Sequence, residues 1–158
     1  MSTDLEYVGF WKRVVASLID TVLMMLIIGP VLYSVYGPEY FKSEKLIQGP
    51  ADFVLSYLVP AIAVIAFWSA KQATPGKMVY RAKIVDSRTG QAPSTIQYVV
   101  RYLGYYLSII PLCLGLLWVA WDPRKQGWHD KLAGTVIVRP KGPGAGEVSF
   151  VDAGKIQE

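Results

Sequence analysis

An all-α polytopic membrane protein with a small β element is the fold class this chain predicts, and three observations lead there. Of its 158 residues, 53% are apolar and the mean hydropathy is positive. The apolar residues gather in long runs rather than amphipathic mixtures, the pattern of helices that cross a bilayer. The basic residues fall in two clusters beside those runs, from Lys71 to Arg88 and from Arg124 to Lys141. The expected architecture is two spanning helices, a short helical hairpin broken near Pro111 and a two-stranded cytoplasmic β element. Residues 1–140 form its transmembrane domain, and 141–158 a mobile tail rich in Gly and polar residues.

Residues 1–8 read as a short, loose polar lead. The first helix is expected over 10–35: Phe10, Trp11, Lys12 and Arg13 supply the aromatic and basic side chains of a membrane interface, and an apolar run follows. Roughly 20 such residues at 1.5 Å each cross a bilayer. Gly29-Pro30 is a candidate kink, and Tyr33, Tyr36, Tyr40 and Phe41 mark the far interface. A signal peptide fits poorly, because the run is too long, carries Asp20 and precedes no small-residue cleavage site. After a loop without positive excess, the second helix is expected over 51–70, with Asp52 at its mouth, Pro60 inside it and Lys71 at its end.

The pattern then changes. Thr74-Pro75-Gly76-Lys77 reads as a turn, and the alternation that follows as a strand over 79–86. Pro93 and Ser94 open a helix over 94–109. The run from Ile96 to Trp121 has the length of one crossing, but a single crossing separates the two basic clusters by the membrane, against the positive-inside rule. A break near Pro111, with helices over 94–109 and 112–121, returns both clusters and both termini to the cytoplasm. A second strand over 135–139 then pairs with the first, since neither satisfies its backbone alone.

Asp20 is the only formal charge between Val14 and Val35 and therefore needs a partner, costing at least about 2.5–3.5 kcal/mol at mid-helix. Arg13 lies one heptad earlier, within about 20° on the same face and about 10 Å away along the axis. The small Ala16 and Ser17 share that face and admit a close neighbour. Arg101 lies as far inside its helix as Asp20 does inside the first, so an Asp20–Arg101 ion pair at matched depth is expected. Its role is either helix packing or an ion- or proton-linked site. His129-Asp130 lacks a nearby nucleophile motif and reads as a turn or interface feature. The single Cys113 and single His129 exclude an intrachain disulfide and a multi-histidine metal site, and no cofactor is expected. The net charge of +4 comes without any nucleic-acid recognition motif, so headgroups or topology account for it.

Three motifs, taken in order, resemble the RDD family of bacterial membrane proteins. They are Gly9-Phe10-Trp11-Lys12-Arg13 with Leu18-Ile19-Asp20, Thr74-Pro75-Gly76-Lys77 leading to Lys83-Ile84-Val85-Asp86, and the stretch from Gly127 to Thr135 containing Trp128-His129-Asp130. The resemblance implies that Arg13 is the family arginine and Asp20 its first aspartate, with Asp86 and Asp130 both candidates for the second. It also implies a multi-pass protein of the bacterial inner membrane, in a family with some members regarded as cation/proton antiporters. The leading expectation is transport, cation/proton exchange by an oligomer through Asp20 with Arg13 and Arg101 nearby. The alternative is a non-transporting scaffold or accessory subunit, whose basic cap binds a partner membrane protein or anionic lipid. An enzyme is not expected.

Overall fold

The computed structural model describes residues 4–142 and 148–150. Helix α1, Phe10–Tyr36, runs unbroken through Gly29-Pro30. A 3₁₀ turn, Pro38–Lys42, leads to a second rod built of α2 (Pro50–Phe53), a π turn (Val54–Leu58) and α3 (Val59–Lys71). The π turn answers Pro60, which has no N–H to give and whose ring crowds the preceding carbonyl; the Val59 N–H reaches back to the Val54 carbonyl instead. Two stretches, Phe10–Tyr36 and Pro50–Val79, are long and apolar enough to cross a membrane.

The run after Ser94 is broken where Pro111 required it. Helix α5, Thr95–Ile109, opens on a capping box in which Ser94 and Gln97 exchange bonds. Leu112 and Cys113 then take left-handed backbone, and the chain resumes as α6, Leu114–Leu117, and a 3₁₀ turn, Trp118–Ala120, bent by 114° from α5.

The sheet has three strands, one more than expected. Strand β1 (Leu5–Tyr7) lies in the lead read as loose, and joins β2 (Lys83–Asp86) and β3 (Thr135–Pro140) in the order β1-β3-β2, all antiparallel. The expected pairing of Lys83–Val85 with Val136–Val138 is present, with Ile84 opposite Ile137. The first strand expected over 79–86 is shorter, because Thr74 starts a helix, α4 (Pro75–Val79), where a turn and strand were expected. Pro75 suits a first helical position, having no N–H to leave unpaired. A last short helix, α7 (Trp128–Ala133), replaces the turn-rich segment and ends on left-handed Gly134.

Alternation gives the sheet two buried faces. Ile84 and Ile137 pack with Val8, Ala82, Trp68 and Tyr98, tying the sheet to the ends of α3 and α5. Val85, Val136 and Val138 face the other way, against Val148. Residues 148–150 therefore lie on the sheet, contrary to a loose tail from 141; the rest of that expected tail, 143–147 and 151–158, falls outside the described residues. Because β1 precedes α1 and β2 follows α3, the first rod must leave the sheet and the second return to it. At the far end, buried Asp52 closes the turn by accepting hydrogen bonds from Tyr40 Oη (2.6 Å), Ser56 Oγ (2.7 Å) and the Gln48 amide (2.8 Å).

Candidate functional site

The charged residues gather where the helices meet the sheet. Asp130 occupies the third position of α7, and its carboxylate accepts from the Gly127 amide that opens that helix, at 3.0 Å. The same carboxylate accepts from Arg13 Nη1 at 2.5 Å and from Arg101 Nη1. Asp130 and Arg101 are completely buried. Arg13 is held at its other nitrogens by the carbonyls of Val8 (Nε, 2.9 Å) and Lys125, the latter residue in left-handed backbone. Arg101 also donates to Thr135 Oγ1 at 2.6 Å and lies over the rings of Trp68 and Tyr105. One carboxylate thus fastens α1, α5, α7 and the start of β3.

Close packing permits this. A Cβ on Gly104 of α5 would come within 2.9 Å of the His129 Cα, and one on Gly127 within 2.6 Å of the His129 ring. The imidazole stacks on Tyr105 with ring centroids 4.0 Å apart. Burial, opposed by Asp130 and reinforced by Arg101, pushes the His129 imidazole down to about 3, so it is neutral here and its approach to Asp130 is no ion pair. For Asp130, burial alone would raise the carboxyl; the Arg101 and Arg13 guanidinium groups outweigh that and hold it well below the usual carboxylate range.

The expected Asp20–Arg101 ion pair is not formed. Asp20, half-buried, accepts from Thr74 Oγ1 and from the Gly76 amide (2.7 Å), capping the first turn of α4. Pairing by matched depth on two helices overlooked α4 and α7, which supply nearer donors and the nearer carboxylate. The small face around Ala16 does admit a close neighbour: a Cβ on Gly76 would fall 2.0 Å from the Ala16 carbonyl oxygen. Buried Lys77 follows, its Nζ 3.4 Å from Thr74 Oγ1 and over the Trp68 ring. The two candidates for a second aspartate separate by geometry. Asp86 accepts from the amides of Arg88 and Thr89 and from Gln97, organising the turn after β2, whereas Asp130 shares a network with Arg13. Lys77 and Thr135 were not foreseen as site residues. The sequence signal for Asp130 was its spacing from Gly127, that of a helix cap and its third residue.

Comparison with known proteins agrees with this layout of motifs. The model of the RDD family matches residues 7–134. Uncharacterized protein RP437 of Rickettsia prowazekii (strain Madrid E) is 36% identical over 105 residues, 64% of this chain and 58% of that protein. Proline-rich antigen of Mycobacterium leprae (strain TN) is 26% identical over 154 residues, 84% of this chain and 61% of its own length. Uncharacterized membrane protein YteJ of Bacillus subtilis (strain 168) is 27% identical over 140 residues, 85% and 82% of the two chains. The chain spans about three fifths of the length of the first two relatives. No solved structure matches it.

Proposed function

The chain belongs to the RDD family, and from that premise we propose that it is a membrane-anchored accessory module of the bacterial inner membrane, whose basic cap engages an anionic partner. The observation that carries this reading is where the motif charges are spent. Arg13 and Arg101 both pair with Asp130, and Asp20 caps α4, so these groups hold the helices to the sheet. Lys71, Arg81 and Lys83, turned outward beside the sheet, have no carboxylate partner among the described residues. The cap lies in the cytoplasm with both termini, because its basic clusters follow the positive-inside rule. The two rods present apolar side chains along their length, such as Leu18, Leu26 and Ile62, to lipid, a second copy or a partner membrane protein.

Transport is the second reading, and one observation favours it. Lys77, Thr74 and Asp20 form a chain of polar groups beside the first span, which in this reading carries a proton exchanged against a cation, with an oligomer supplying the pathway. Purified protein in liposomes separates the two. A pH change driven by a cation gradient, abolished in Asp20→Asn with the fold intact, establishes transport. No flux under any gradient, together with a membrane partner cross-linked and co-purified through the cap, establishes the accessory module.

A further inference from the structure

A groove of about 450 Å³ crosses the end of the sheet where the second rod meets it. Its rim carries four cations: Lys71, the last residue of α3, then Arg81, Lys83 and Arg139. Its floor is apolar, with Ala73, Met78 and Val138. Of the four, Arg139 is answered by Glu6, its cross-strand neighbour. Lys71, Arg81 and Lys83 are exposed and have no acidic partner among the described residues.

We infer that this groove binds the headgroup of an anionic phospholipid from the surrounding leaflet. The inference rests on the accessory-module reading and gives its cap a ligand class. Position argues for lipid over a soluble anion. Lys71 ends α3, the last apolar helix of the second rod, so the groove opens at the depth where hydrocarbon gives way to headgroups, and Met78, exposed, carries its apolar floor outward. A free phosphate would use the rim and leave the floor idle; a phospholipid sets its phosphate among the cations and its glycerol and upper acyl chain on the floor. Basic pockets beside membrane helices recognise acidic headgroups on these grounds.

The test is lipid retention by native mass spectrometry of the detergent-purified protein, with phosphatidylglycerol and phosphatidylcholine of matched chains. Preferential retention of phosphatidylglycerol is expected, weakening as ionic strength rises. Neutralising Lys71→Gln, Arg81→Asn and Lys83→Gln should each cost about fivefold in affinity, on the order of a hundredfold together. Asparagine is chosen at Arg81 because that residue holds left-handed backbone, φ 52°. Lys45→Gln, in the loop at the other end of the rods, should change nothing. If the triple variant does not fold, the single Lys83→Gln and the salt series carry the test. Equal retention of both lipids, or a preference that survives loss of the three cations, overturns the inference. So does displacement of the lipid by millimolar inorganic phosphate, which would identify a soluble anion as the ligand. None of these outcomes bears on liposome flux or partner cross-linking, so the groove falls alone or the accessory module falls alone.

Discussion

Two guanidinium groups and one amide converge on Asp130, so replacing that side chain takes the carboxylate from buried Arg101 and partly buried Arg13 at once. Asp130→Asn is expected to cost about 3–5 kcal/mol, read as a large fall in the melting temperature of the detergent-purified protein. Asp20→Asn keeps an acceptor for Gly76 or Thr74 and should cost about 1 kcal/mol, which makes it the cleaner probe of transport. Acid acts first through His129. Its folded value of about 3 lies below the ordinary 6.5, so the unfolded chain binds the proton more readily. Stability contributed by the neutral imidazole is full above pH 6.5 and falls as pH drops toward 3, by about 1.4 kcal/mol per unit. Asp130 works at a lower range: its contribution is complete above about pH 3.9 and erodes only below that. Thermal melts between pH 7 and 4 should therefore decline, and His129→Asn should flatten the profile.

Between elements, contact is set by glycine and by caps. Gly76→Ala pushes a methyl group into the Ala16 carbonyl and must separate α4 from α1, at a cost of about 1–3 kcal/mol or more in thermal unfolding. Ser94→Ala removes the capping box of α5, and hydrogen exchange in that first turn should quicken by an amount equivalent to about 1 kcal/mol. The elements legible in the sequence were those with a long or periodic signal: both apolar rods, the break at Pro111 and the pairing of β2 with β3. What escaped was short. Three residues, Leu5–Tyr7, carry too little alternation to declare a strand, and only the free side of β3 recruits them. The Pro75 and Gly127 segments have turn composition yet become helices of five and six residues, because Asp20 and Asp130 accept from their opening amides. Since the partner of Arg101 lies on one of these unannounced helices, pairing by depth alone reached for the wrong carboxylate.

At the scale of the whole molecule, a polar cap terminates two apolar rods and a bent third segment, and topology is the property to test. In a chain with Cys113 replaced, a cysteine at position 45 should react with impermeant maleimide from outside intact cells, and one at position 149 only after the inner face is opened. Reaction of both from one side would remove the two-crossing arrangement. In the unaltered chain, Cys113 at the bend should label slowly if α5 and α6 turn back within the bilayer. The order of the strands adds a constraint in time. The central strand, β3, is the last of the three to leave the ribosome, and the residue that neutralises both arginines precedes it by only a few positions. A nascent chain halted before that point carries two open strand edges and two uncompensated charges, however well its apolar segments have inserted. Emergence of Asp130 and β3, rather than insertion, is the event that hides them, so chains stopped before it present a mark that membrane proteases can read.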